Sequence, residues 1–125
     1  MVDILKTDVC VIGAGSAGLV VAAGAALFGV NVVLIEKNLM GGDCLNYGCV
    51  PSKALIYAGK LKEKLNKVEK IGMSVHIPET NFSKIKNYIE NVIKSIEPND
   101  SVERFQGMGI KVIKGNAKFI NQNTI

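Results

Sequence analysis

The stretch TDVCVIGAGSAGLVVAAGAALFGVNVVLIE, residues 7–36, decides how the chain folds. Thr7–Ile12 is short, apolar and β-branched, and it stops at Gly13, which reads as a buried strand. Gly15–Phe28 consists of small and apolar residues closed by Gly29, which predicts a helix. Asn31–Ile35 predicts a second strand, closing on Glu36. A β-α-β unit of this kind implies a parallel strand pair with a right-handed crossover. No charged residue falls between Val9 and Ile35, a run long enough to suggest a membrane span or signal peptide. Asp3 and Asp8 offset Lys6 ahead of it, so no positive leader precedes the run. Gly13, Gly15, Gly18, Gly24 and Gly29 punctuate it, and parallel strands covered on both faces are themselves uncharged. The expectation is therefore a cytoplasmic chain with no membrane partner.

Working outward, residues 37–48 read as a glycine-containing loop. A long helix is predicted from Cys49 to Ile71, with an apolar stripe of Val50, Ala54, Ala58, Leu61, Leu65 and Val68 and its end at Gly72. Ser74–Ile77 reads as a short edge strand. A further helix is predicted over Phe82–Ile96, capped by Asn81, with Phe82, Ile85, Ile89, Val92, Ile93 and Ile96 on its inner face. A short helix over Asn99–Gly107 and strands at Ile110–Lys114 and Ala117–Ile120 complete the reading. The fold class is α/β: a Rossmann-like domain, residues 1–125, with a parallel sheet and flanking helices.

The chain has 125 residues, 48% of them hydrophobic, with 13 Gly and a net charge of +4. That composition excludes a disordered or collagen-like chain. Every basic residue but Arg104 is Lys, and the lysines are spread along helices, so a solvated surface is favoured over a nucleic-acid footprint. Three cysteines, none in a CxxC pair, exclude a disulfide-stapled secreted scaffold.

Gly13-Ala14-Gly15-Ser16-Ala17-Gly18 matches GxGxxG, and it leaves a strand to open a helix. Gly13 permits the tight turn, Gly15 lets a pyrophosphate approach the backbone, and Gly18 lets helix and strand pack closely. The helix N-terminus offers N–H groups and partial positive charge to phosphates. Glu36, at the end of the second strand, can accept from both hydroxyls of an adenosine ribose and would repel a 2′-phosphate. FAD or NAD is thus favoured over NADP at this site.

The second motif is GGDCLNYGCVPSK, residues 41–53. Cys44 and Cys49 are separated by four residues, and a disulfide requires the chain to fold back, which Gly48 is placed to help. Cys49 is expected at the start of the long helix, with Pro51 in its first turn, a position that favours a thiolate. A disulfide inside a cytoplasmic protein is more often catalytic than structural. Cys10, mid-strand, reads as an inert buried thiol. Zinc at Cys44 and Cys49 is disfavoured because His76 alone is available as a further ligand, so no metal site is expected.

Taken together, GAGSAG, the Glu-ended strand and GGDCLNYGCVPSK resemble the signature of the class I pyridine nucleotide–disulfide oxidoreductases, which include dihydrolipoamide dehydrogenase, glutathione reductase and mercuric reductase. The resemblance implies FAD bound at Gly13, Ala14, Gly15, Ser16, Ala17, Gly18, Glu36 and Lys37. Gly42 and Asp43 would line its pyrophosphate and ribityl region, and Asn116 and Ala117 would give backbone contacts to adenine. It implies Cys49 against the flavin, Cys44 as the thiol that exchanges with substrate, and Lys53 near the flavin. Electrons would pass from NAD(P)H through FAD to the cysteine pair, then to a small-molecule disulfide or a metal ion. Asp43 stands where Thr is commonest, and Tyr47 where a smaller or basic residue is frequent. MGGDCLNYGCVPSKALI and the run from Asp100 to Phe105 look most like the mercuric-reductase-like subgroup, with dihydrolipoamide dehydrogenase as the alternative.

The resemblance covers only the N-terminal part of the family's fold. NAD(P)H is accordingly expected to bind in a domain absent from this sequence, the chain alone is expected not to turn over, and the full-length homodimers of the family are the expected assembly. A non-enzymatic dinucleotide-binding or thiol-redox module is the reading from a different class.

Overall fold

The computed structural model describes residues 4–125, so Asp3 lies outside the described residues. Three strands form one parallel sheet in the order β1 (Val9–Ile12), β2 (Val32–Glu36), β3 (Lys111–Lys114). Val9 aligns with Val32 and Ile12 with Ile35, while Val33 aligns with Lys111 and Glu36 with Lys114. Val32, Val33 and Leu34 are all buried, so β2 is covered on both faces as a central parallel strand must be. The outer strand β1 begins only after Thr7 and Asp8, whose side chains are tied to Asn31: Thr7 Oγ1 donates to the Asn31 carbonyl at 2.7 Å, and Asp8 Oδ2 accepts from its N–H at 3.1 Å.

Helix α1 (Ser16–Leu27) crosses between β1 and β2, and Gly29, at φ 75°, takes the left-handed turn that ends it. Leu19 and Ala22 of α1 join Val11, Ala14, Val32, Leu34, Phe105 and Ile110 in the core. Phe105 belongs to α5 (Val102–Gly107), so α1 and α5 seal the same cluster. The small residues of α1 are what allow a helix to lie this close to the sheet.

The loop expected over residues 37–48 contains a short helix, α2 (Gly42–Asn46). It is followed by α3 (Cys49–Val68), which tightens to a 3₁₀ turn over Glu69–Ile71 before Gly72 at φ 87°. Helix α4 (Phe82–Ile96) matches its predicted bounds, and the Asn81 side chain accepts from the Lys84 N–H at 3.0 Å as its cap. α3 and α4 pack on each other. Their stripes are only partly covered: Ala54 is buried, but Leu61 and Phe82 are exposed.

Three expectations fail for physical reasons. Ser74–Ile77 forms no strand, because it runs alongside the α3–α4 pair, away from the sheet. Ala117–Ile120 forms none either, since β2 stops at Glu36 and leaves no ladder for it; Phe119 and Ile120 are exposed, and the chain turns back through an isolated bridge between Asn121 and Thr124. The helix expected over Asn99–Gly107 is divided. A 3₁₀ turn spans Glu97–Asp100 with Pro98 in its first turn, and Ser101 then starts α5 by accepting from the Arg104 N–H at 3.2 Å.

Candidate functional site

The carboxyl ends of β1, β2 and β3 converge on one place. Gly13 leaves β1 at φ 100°, and its N–H donates to the Ile35 carbonyl at 2.8 Å. A Cβ on Gly18 would lie 1.9 Å from the Gly13 carbonyl oxygen, so helix and strand meet here with no room for a side chain. Gly15 caps α1 without any side-chain hydrogen bond. Leu19 N–H bonds back to the Gly15 carbonyl at 2.9 Å, while the N–H groups of Ser16, Ala17 and Gly18 find no partner among the described residues. A Cβ on Gly13 or Gly15 would meet nothing within 4 Å. The result is open space beside unpaired donors at the positive end of a helix, an arrangement that suits an anionic group such as a pyrophosphate.

Glu36 is bound into this cradle. Its Oε2 accepts from the Ala14 N–H at 2.5 Å and its Oε1 from the Asn38 N–H at 2.6 Å. A carboxylate has about four acceptor positions. Each oxygen therefore keeps capacity for a hydroxyl of a ribose. Lys37 follows, exposed. The Gly115 N–H donates to the Glu36 carbonyl at 2.9 Å, so Asn116 and Ala117 leave the sheet next to Glu36.

The cysteine segment joins the same place from the other side. Gly41 and Gly42 both have positive φ, 83° and 57°, and turn the chain into α2. A Cβ on Gly42 would lie 2.7 Å from the Gly15 Cα. The two motifs, well separated along the chain, are thus in backbone contact. Gly48 makes the return possible, for its Cβ would lie 2.9 Å from the Asp43 carbonyl oxygen. Cys49 is the first residue of α3, exposed, and Cys44 is half-buried on α2.

The two cysteines meet as unbonded thiols. Hydrogen bonding with the Cys49 side chain, then burial, pushes the Cys44 thiol above its ordinary value, while the Cys49 N–H and the Lys53 ammonium act in the opposite direction. Lys53, one helical turn beyond Cys49, is therefore close enough to act on Cys44. Asp43 is exposed at the start of α2. Cys10 is half-buried on β1, and burial raises its thiol. Among the described residues no three His, Cys, Asp or Glu side chains gather as a metal site, and no helix is long and apolar enough to cross a membrane.

A family model described as pyridine nucleotide-disulphide oxidoreductase matches residues 7–125. The chain belongs to the pyridine nucleotide-disulphide oxidoreductase family. It is 36% identical over 122 residues to dihydrolipoyl dehydrogenase of Geobacillus stearothermophilus, covering 97% of this chain and 26% of that one. Dihydrolipoyl dehydrogenase 3 of Haloarcula marismortui is 37% identical over 121 residues, covering 96% of this chain and 25% of that one. Among solved structures, the Cu(II) complex of a Cys-to-Ser mutant of the HOCl-induced flavoprotein disulfide reductase RclA from Escherichia coli superposes with a TM-score of 0.73 at 27% identity, covering 94% of this chain and 23% of that one. The chain thus spans about a quarter of the length of the curated relatives it matches. Proteins of this family bind FAD.

Asn46 is not legible as a functional residue from spacing alone, nor is Asn38. Both enter through hydrogen bonds: Asn38 through its N–H to Glu36, and Asn46 through a side-chain amide that ties α2 to the preceding turn.

Proposed function

We propose that this chain is the FAD-binding, cysteine-bearing part of a flavin disulfide oxidoreductase of the dihydrolipoyl dehydrogenase kind. The observation that carries the reading is the backbone contact between Gly42 and Gly15, which sets the thiol pair beside the phosphate cradle. The N–H groups of Ser16, Ala17 and Gly18 would hold the pyrophosphate, and Glu36 the adenosine ribose. Asn116 and Ala117 would border the adenine, and Lys37, Gly42 and Asp43 would line the intervening length. Bound FAD would supply a carrier for two electrons between a nicotinamide and the cysteine pair.

The thiols supply the chemistry at the other end. In dihydrolipoamide oxidation a substrate thiolate attacks the Cys44 sulfur of an oxidised pair, releasing Cys49 as thiolate. The second substrate thiolate then displaces Cys44, so the substrate leaves as a disulfide and the pair as two thiols. Lys53 supplies positive charge where Cys44 must leave as an anion.

The relatives support lipoamide over the mercuric ion that the run around Cys44 suggests, because the matches at 36% and 37% identity carry the dihydrolipoyl dehydrogenase name. A metal-ion substrate stays as the second reading, since the matching RclA structure is a Cu(II) complex. Titrating the FAD-reconstituted chain anaerobically with dihydrolipoamide tests the proposal. A long-wavelength absorbance band that appears in the wild type and is lost in Cys49→Ser supports it. Identical spectra in the two chains overturn it. A reconstituted chain that, once reduced, passes two electrons to Hg(II) or Cu(II) in a single turnover, without response to dihydrolipoamide, favours the second reading.

A further inference from the structure

Asn46 lies between the two cysteines in the chain, and its side-chain amide bonds to backbone carbonyls. It is half-buried at the last position of α2. Its Nδ2 donates to the Gly42 carbonyl at 2.8 Å and to the Met40 carbonyl at 3.0 Å. The backbone bonds that close the turn ahead of α2 are longer, Gly42 N–H to Leu39 carbonyl at 3.3 Å and Leu45 N–H to Gly41 carbonyl at 3.4 Å, while the Tyr47 N–H to Asp43 carbonyl bond at the far end of α2 is 2.9 Å. A five-residue helix cannot hold its own shape, because nucleation costs more than so few bonds return. It is preceded by a turn with two glycines at positive φ, the residues with the widest choice of backbone states. The two ties from Asn46 are therefore shorter than the backbone bonds that close the turn.

We propose that Asn46 is a positioning residue for the redox pair: its amide fastens α2 to the Met40–Gly42 turn and so sets Cys44 against Cys49 and over the cradle. Gly42 is the fixed end of this linkage, since it is packed on Gly15. The inference rests on the redox reading of Cys44 and Cys49. It goes beyond that reading by giving a non-cysteine residue control of how readily the pair closes. Asp at this position has the same size but no donor, so its oxygens would face the two carbonyls and repel them.

The test is the equilibrium of the 125-residue chain with glutathione. One glutathione disulfide accepts two electrons from Cys44 and Cys49, one S–S bond forms between them, and two glutathione thiols carry away the two protons. The equilibrium constant is the effective concentration of one thiol at the other. Asn46→Ala is expected to lower it about tenfold, and Asn46→Asp at least as far, the amide holding the pair in the geometry of closure more firmly than it holds the open pair. A general loss of stability that leaves the chain folded would not move this constant. The thermal midpoint of each variant in a Cys44→Ser, Cys49→Ser background separates the two effects, and a small change there is expected. Folded variants with a wild-type effective concentration overturn the inference. So does unfolding of both variants, because Asn46 would then hold the whole chain and not this corner. If the wild-type pair closes no more readily when folded than in denaturant, the redox reading itself fails, whatever the variants do.

Discussion

The contact of Gly18 with Gly13 can be tested against a second glycine of the same helix. A Cβ at Gly18 would sit 1.9 Å from the Gly13 carbonyl oxygen, and real contacts of this kind essentially never fall below 3.0 Å. Gly18→Ala must therefore push α1 and β1 apart by at least about 1 Å at a point where both partners are backbone and neither can rotate away. Overpacking of a rigid site costs about 1–3 kcal/mol, and the upper end applies here. Gly24 lies in the same helix, where a Cβ would meet nothing within 4 Å and φ is not positive. Gly24→Ala restricts the unfolded chain without strain and is expected to stabilise by about 0.4–1 kcal/mol. The two single-methyl variants should then differ by about 3–4 kcal/mol in urea unfolding, or roughly 12–15 °C in thermal midpoint for a domain of this size. Gly18→Ala should also lose affinity for ADP, since the N–H groups it displaces form the cradle. Equal midpoints for the two variants would refute the close-packed turn.

Glu36→Ala removes the acceptor of two backbone N–H groups and is expected to cost about 2 kcal/mol, a magnitude typical of hydrogen bonds to charged groups, with at least about a tenfold loss of ADP affinity by calorimetry. Cys44 holds its proton above the ordinary thiol value of 9.0, chiefly through the Cys49 side chain. Its alkylation by iodoacetamide, read peptide by peptide, should therefore have an alkaline-shifted midpoint, moved back by Cys49→Ala and further up by Lys53→Met. The sign for stability follows: the folded chain binds this proton more tightly, so the contribution is present below the unfolded thiol's value and is lost as pH rises through the folded one. Asn81→Ala deletes the cap of α4 and should cost about 1 kcal/mol in chemical unfolding.

Much of this architecture is readable in the residues. The strand–glycine–helix–strand order within residues 9–36 specifies β1, α1 and β2; burial on both faces accounts for the lack of charge in β2 alone, since Val20 and Leu27 of α1 are exposed. Asn81 and the spacing of Ile85, Ile89, Val92 and Ile96 specify α4 to the residue, since cap and stripe are both local. Ser74–Ile77 and Ala117–Ile120 have the residues of strands and form none, because a strand is defined by its neighbour, and β-branched residues alone do not provide one. The short α2 is hidden because five residues carry no periodicity. Glycine spacing announces the cradle and the cysteines announce the redox pair, but their meeting at Gly15 and Gly42 is a tertiary contact that neither motif contains. The hydrogen bonds of Asn46 are hidden for the same reason.

The most direct test of the central claim is amide chemical-shift mapping of the isotopically labelled chain on titration with FAD, with FMN as the comparison lacking adenosine. FAD-dependent shifts are expected at residues 13–18, at Glu36 and Lys37, and at residues 41–44, with FMN leaving Glu36 undisturbed. Shifts confined to other parts of the chain, or an FMN response equal to that of FAD at Glu36, would contradict it.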